Sequence, residues 1–246
     1  MTKKKLHALE RALSKAGLCS RAQARDLVRA GRVRVNGRIA LDPAEPCDSA
    51  RDDVRVDGRR VQENERVYAM LHKPRTYLTT RDDPEGRRTV YELLAGLDAW
   101  VVPVGRLDGD TSGLLLFTND TEFADLVTSP ASHVPKTYVV TTRPRIDAAA
   151  LARLAQGLEL DDGPTRPAHV EKLGDRGRST RFSITITEGR NRQVRRMVRA
   201  VGAKVDKLHR SRIGPLELGE LALGAWRALT SAEVSALRNA ARSAKA

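Results

Sequence analysis

The chain reads as an α+β protein of two domains, a small helix-and-sheet domain ahead of a larger one built on a mixed, mainly antiparallel sheet. Three observations predict this. A length of 246 residues accommodates one small and one medium core. The first sixty residues place two short helical periodicities before a hairpin signal, and the polar stretch 58–66 then interrupts the pattern. Beyond it, strands and helices mix without the strict alternation that marks a parallel α/β sheet.

Glu10 to Gly17 follows a helical pattern. Ser20-Arg21-Ala22-Gln23 is a capping box and opens a second helix that runs to about Ala30 and stops at Gly31. Val33 and Val35 then alternate with Arg32 and Arg34, Asn36-Gly37 supplies a two-residue turn, and Arg38 to Leu41 can return as the paired strand. In the second domain Val67 to Leu71 predicts a strand ended by His72-Lys73-Pro74, and Thr89 to Leu94 a capped helix start. Further strands are expected at 101–104, 114–118, 136–142 and 181–187, and helices at 120–128, 147–156 and 191–201. The small, basic end from Arg238 to Ala246 is expected to fray. The expected divisions are therefore 1–60, 61–237 and a disordered tail at 238–246.

Forty-four Lys and Arg against 31 Asp and Glu give a net charge of +13, which calls for an anionic partner, with nucleic acid ahead of a membrane surface. Only 4% of residues are aromatic, which argues against ring-after-ring base stacking. Cys19 and Cys47 have neither metal-ligand nor CxxC spacing, so no metal is expected and a reducing cytoplasmic compartment fits. No stretch approaches transmembrane length, and the basic start is followed by no apolar core of a signal peptide. His7, His72, His133, His169 and His209 are scattered singly and read as surface or loop residues.

On the second helix Arg21, Arg25 and Arg29 share one face, opposite Ala24, Leu27 and Val28. The stripe is either a solvated face or a set of RNA-phosphate contacts, to which the hairpin adds Arg32, Arg34 and Arg38. The run from Arg11-Ala12-Leu13 through Ser20-Arg21-Ala22-Gln23-Ala24 to Gly31-Arg32-Val33-Arg34-Val35-Asn36-Gly37 resembles the S4 RNA-binding domain, over roughly residues 6–60. That likeness implies RNA and leaves the chemistry open.

Between apolar Val101 to Val104 and Leu114 to Phe117 lies the glycine-punctuated loop Gly105-Arg106-Leu107-Asp108-Gly109-Asp110-Thr111-Ser112-Gly113. On pattern alone it is either a catalytic loop carrying Asp108 or an ordinary Asp/Gly turn. Tyr138, on a β-branched strand, belongs either to the core or to a cleft wall. In the helix from Asn191, Val194, Met197, Val198 and Val201 define the buried face. Arg192, Arg196 and Arg199 point away from it, toward solvent or RNA phosphates, and Arg195 lies on the margin, where it is expected to pair with Asp108. Trp226 reads as core.

The loop Gly105 to Gly113 with Leu114-Leu115-Leu116 resembles the signature of pseudouridine synthases, in the branch that carries an N-terminal S4 domain and acts on ribosomal RNA. Lys136-Thr137-Tyr138-Val139-Val140 and the segment Glu188 to Met197 follow in the family's order, so the likeness spans nearly the whole chain. It implies an α+β pseudouridine synthase catalytic domain behind the S4 domain, and a uridine isomerised without cofactor or metal. Asp108 is then the catalytic carboxylate, Tyr138 lies against the uracil, Arg195 holds Asp108, and Arg106 wedges into the RNA stack left by the flipped nucleotide. Asp83 to Arg87 and Glu188 to Arg192 look more like the large-subunit enzymes, so 23S rRNA is the expected partner of a monomeric protein. A noncatalytic RNA-binding S4 protein fits the charge and the first sixty residues equally well but leaves Asp108, Tyr138 and Arg195 unexplained, and a structural ribosomal protein fits the basic charge but not a long second domain with an acidic loop at its heart.

Overall fold

The computed structural model describes residues 6–48, 51–61 and 65–243, which divide into two compact units. In the first, helices α1 (Leu9–Lys15) and α2 (Arg21–Arg29) precede an antiparallel sheet of β1 (Val33–Val35), β2 (Arg38–Ala40), β3 (Val54–Val56) and β4 (Arg59–Arg60), in the order β2-β1-β3-β4. The capping box forms as its spacing predicts: Gln23 N donates to Ser20 Oγ, and Ser20 N to the Gln23 side chain, both at 3.1 Å. Asn36 and Gly37 both take positive φ, 51° and 82°, as the two-residue hairpin turn requires. Leu9, Leu13, Ala24, Val28, Val33 and Ala40 are fully buried between helices and sheet.

Residues 58–61 are not linker. Arg59 pairs with Val56 in the ladder and Val61 packs on the same core; residues 62–64 of the expected linker lie outside the described set. Asp98–Val102 and Thr118–Thr121 also group with this unit, so no single cut near residue 61 divides the chain. The reason is local: Asn119 accepts from Val67 N at 2.9 Å and donates to Glu65 O at 2.8 Å, tying a distant turn to the incoming backbone.

The second unit carries the large sheet. Its main elements are β5 (Tyr68–Lys73), β6 (Ser112–Thr118), α3 (Thr121–Thr128), β7 (Lys136–Arg143), α4 (Ala148–Gln156), β8 (His169–Arg176), β9 (Ser179–Ile186), α5 (Gln193–Ala200), β10 (Lys204–Ile213), β11 (Trp226–Ala228) and α6 (Ser231–Ser243). The sheet runs β8-β9-β7-β10-β6-β5-β11. The β8–β9, β9–β7, β7–β10 and β5–β11 pairs are antiparallel, and β10 with β6 is parallel. One apolar cluster joins Val140, Leu154, Phe182, Ile184, Met197 and Val198, and a second joins Met70, Leu114, Leu116, Phe123 and Leu237. Among the described residues no helix is long and apolar enough to cross a membrane.

The tail expectation is overturned for residues 238–243. They continue α6, with Leu237 and Ala241 fully buried, because an alanine-rich helix face packs closely on the core without presenting an obvious apolar stripe. Residues 244–246 lie outside the described set. The expected helix at Thr89 is a single 3-10 turn, Val90–Leu93, that keeps its Thr89–Glu92 capping box.

One glycine fixes the centre of the sheet. Gly113 pairs with Arg210 across the parallel ladder at φ +115°, and a Cβ there would lie 2.2 Å from the Arg210 carbonyl oxygen. The obstacle is backbone inside a sheet and cannot move aside, so Gly113→Ala is expected to cost at least ~2 kcal/mol. Urea unfolding of the two proteins measures it; an unchanged midpoint would remove Gly113 from its role as the point of close approach.

Candidate active site

The loop from Gly105 to Thr111 leads into β6, and its backbone is pinned from several sides. Thr79 Oγ1 donates to Leu107 O at 2.7 Å and accepts from Leu107 N at 3.3 Å. Thr76 N donates to Gly109 O at 2.6 Å, and Thr111 N closes a turn onto Asp108 O at 3.0 Å. From within, Lys73 at the end of β5 has no exposed surface and donates to the carbonyls of Pro74 (3.0 Å), Asp108 (3.1 Å) and Thr111 (2.8 Å). Arg210, 3% exposed, donates from Nε to Leu114 O at 2.8 Å. With its main chain so held, the loop presents the Asp108 side chain 35% exposed.

The two carboxylates of the loop meet the start of α5. Arg192 Nη1 lies 3.2 Å from Asp108 Oδ2, and its Nη2 3.2 Å from Asp110 Oδ2. Arg195 Nη2 lies 3.0 Å from Asp110 Oδ1 and donates to the Asp110 carbonyl at 3.1 Å. Burial alone raises the Asp110 carboxyl, but the hydrogen bond from Arg192 and the charges of Arg195 and Arg192 outweigh it and hold it below the usual carboxylate range. Burial lowers the Arg195 guanidinium, against the attraction of Asp110. Burial also brings Lys73 down to about 8, opposed by Asp108 and Asp110, and brings Lys136 down to about 8 with help from the charge of Arg210. Cations thus outnumber carboxylates here, which suits an anionic ligand.

Two expected contacts are redistributed. Arg195 reaches Asp110 instead of pairing with Asp108, and Arg192, expected to face RNA, turns inward to both carboxylates. The helix proper begins at Gln193, and Arg192 precedes it as a cap residue in the left-handed region at φ 46°. Helical periodicity therefore says nothing about its direction, whereas Arg195, inside the helix, lies on the buried margin as the wheel places it, with 13% of its side chain exposed.

Tyr138 is partly buried on β7, in a row that crosses the sheet as Ile184, Tyr138, Arg210 and Gly113. The row brings it to the strand that continues from the loop. The Arg106 side chain is exposed, while its carbonyl accepts from Arg210 Nη1 at 3.5 Å. Sequence reasoning missed Lys73, Arg210 and Lys136. Lys73 carried a signal, a lysine closing the apolar strand Ala69-Met70-Leu71 and followed by proline; Arg210, between alternating polar residues, carried none. Two of the scattered histidines also meet: the His72 and His209 rings stand edge to face at 5.3 Å, and Ser112 Oγ lies 3.1 Å from His209 Nδ1.

In the first unit Arg21, Arg25 and Arg29 are exposed on α2. Arg25 lies 3.4 Å from Glu10, Arg32 forks onto Asp57 at 2.9 and 2.5 Å, Arg38 pairs with Glu45, and Arg34 donates to Gly37 O at 2.9 Å. Exposed pairs of this kind are weak and exchange readily for phosphate. Cys19 and Cys47 are buried and unpaired, and no cluster of three or more His, Cys, Asp or Glu that could hold a metal occurs among the described residues.

A family model described as RNA pseudouridylate synthase matches residues 67–200, and an S4 domain model matches residues 9–54. A protein of Aquifex aeolicus named "Uncharacterized RNA pseudouridine synthase" is 40% identical over 226 residues, covering 92% of this chain and 91% of that protein. The "Ribosomal large subunit pseudouridine synthase B" of Bacillus subtilis is 38% identical over 235 residues, covering 95% and 96%. That of Escherichia coli K12 is 39% identical over 241 residues, covering 94% and 81%. A crystal structure of a pseudouridylate synthase superposes with a TM-score of 0.68 at 34% identity, covering 93% of this chain and 98% of the other.

Proposed function

The chain belongs to the RNA pseudouridylate synthase family, and from that premise we propose that it isomerises one uridine of large-subunit ribosomal RNA, with Asp108 as the essential carboxylate and no cofactor. The observation that carries the reading is the Asp108 side chain itself, presented toward solvent from a loop whose main chain is hydrogen-bonded on every side and whose neighbours are arginines. Support for the RNA comes from the large-subunit names of relatives that align over most of their length, and from the S4 domain.

The target uridine must leave its stack to meet Asp108, at an unstacking cost of a few kcal/mol. Arg106, exposed within the loop, occupies the vacated place. Asp108 then acts at the ribose as the glycosidic bond breaks. The freed uracil turns against Tyr138 and rejoins through C5, whose proton is lost while N1 gains one, so substrate and product have the same atoms. Arg192 and Arg195 hold the acidic pair in place and compensate charge as it shifts. A monomer working in the cytoplasm, where ribosomes are assembled, completes the proposal.

Mapping pseudouridines in both ribosomal RNAs, from cells with and without the gene, tests the reading. One large-subunit site is expected to disappear and to return on complementation. Loss confined to the small subunit, or no loss, rejects the substrate.

A further inference from the structure

Beyond the active site the second unit carries an open cleft of about 950 Å³ lined by Arg143, Arg178, Arg199 and Lys204, with Asp206 as the one acidic residue. All four cations are exposed, and none makes an ion pair among the described residues. Some other cations of this unit are neutralised locally, as Arg196 is by Asp162 at 2.8 Å and Lys172 by Asp175 at 2.8 Å. Within the cleft, Arg143 stands directly opposite Lys204 in the β7–β10 ladder. Like charges facing each other across a strand pair destabilise a sheet. A concave surface that gathers four cations, two of them in register, without acids to match is organised for a polyanion.

We propose that this cleft binds the sugar–phosphate backbone of the RNA substrate, several nucleotides from the target uridine; the proposal rests on the reading of the protein as an RNA-modifying enzyme. The two strands that bear the cleft also bear the active site. Tyr138 pairs with Arg210 near one end of the β7–β10 ladder, and Arg143 pairs with Lys204 at the other. Five residues of strand span roughly 16 Å, and the odd separation sends the two side chains to opposite faces of the sheet, so the RNA reaches the cleft around the strand ends. A stacked chain rises about 3.4 Å per nucleotide, so the separation corresponds to about five nucleotides. Helix α5 continues the track: Arg192 and Arg195 touch the acidic loop, and Arg199, in its last turn, lines the cleft. An anionic lipid surface is the other polyanion of this charge, but a flat bilayer meets only the rim of a concave cleft.

The test is the triple variant Arg143→Gln, Arg178→Gln, Lys204→Gln, with filter binding to a large-subunit rRNA transcript over a salt series. The variant is expected to bind about tenfold more weakly near 0.1 M salt, and its slope of log affinity against log salt is expected to be shallower by roughly 2 to 3, at about 0.7–0.9 per phosphate contact. Its thermal midpoint should equal or exceed that of the parent protein, because an unfavourable charge pair is gone; a merely structural role predicts the reverse. Unchanged affinity and slope overturn the proposal. So does binding of the parent, but not the variant, to phosphatidylglycerol vesicles with RNA binding unaltered. Because the readout is binding, failure of the parent protein to form pseudouridine would reject the enzymatic reading without deciding the cleft.

Discussion

Asp108→Asn is expected to bind ribosomal RNA as the parent protein does and to form no measurable pseudouridine, a loss on the order of 10⁴-fold or more in single-turnover rate. The substitution preserves size, and the hold on the loop is unaffected: Lys73 and Thr111 bond the Asp108 carbonyl, not its side chain. What disappears is the anionic oxygen proposed to act at the ribose. One contact changes, since Arg192 Nη1 no longer meets a charge at this position, but its bonds to Asp110 remain. Retained binding together with lost chemistry would place the residue at the reacting atoms. Pseudouridine formation by the variant within tenfold of the parent rate would remove Asp108 from that role. Arg195→Gln separates positioning from chemistry, because it strips Asp110 of a partner while leaving Asp108 paired with Arg192.

The parts legible in the sequence are those written locally. The capping box at Ser20, the Asn36-Gly37 turn, the buried face of α5 and the loop around Asp108 each depend on residues within one turn or one strand of each other, and the structure places all of them as read. Strand β10 was not legible. Lys204 to Ile213 carries four cations and no regular apolar alternation, yet it lies within the sheet with a buried arginine whose partners are carbonyls ninety or more residues away. The direction of Arg192 was hidden for a related reason: a left-handed cap residue has left the helix whose periodicity predicts everything after it. Helix α6 was lost to composition, since an alanine-rich, basic end resembles a frayed terminus unless the surface that receives it is known. Local signals thus place loops, caps and helix faces, whereas the groups that hold the loop, Lys73 and Arg210, come from strands far away in sequence.

Lys73 is the strongest case of the holding group. Removing its ammonium takes this donor from the carbonyls of Pro74 and Thr111 and leaves the Asp108 carbonyl with Thr111 N alone, and a buried carbonyl left unsatisfied costs about 1–3 kcal/mol. Relief of the buried charge offsets part of that, so Lys73→Met is expected to lower stability by about 2 kcal/mol in urea unfolding and, with the loop less firmly placed, to slow the reaction on the order of 10²-fold. The pH dependence identifies the cause. Folding brings Lys73 to about 8, below a free lysine near ~10.4, so between these values the unfolded chain binds a proton that the folded chain does not. Unfolding takes up that proton, and stability rises as pH climbs through the window; below it both states are protonated and the slope vanishes. Activity runs the other way, since the neutral amine has lost its charge and one donor for the same three carbonyls. The parent protein is therefore expected to lose turnover above about pH 8 while its unfolding midpoint climbs, and Lys73→Met to lose that alkaline limb. Lys136, also brought to about 8, adds a slope of the same sign to stability, and it bonds the Val134 carbonyl rather than the catalytic loop. Lys136→Met should accordingly keep the alkaline fall in turnover; if it loses the fall and Lys73→Met retains it, the two lysines exchange roles.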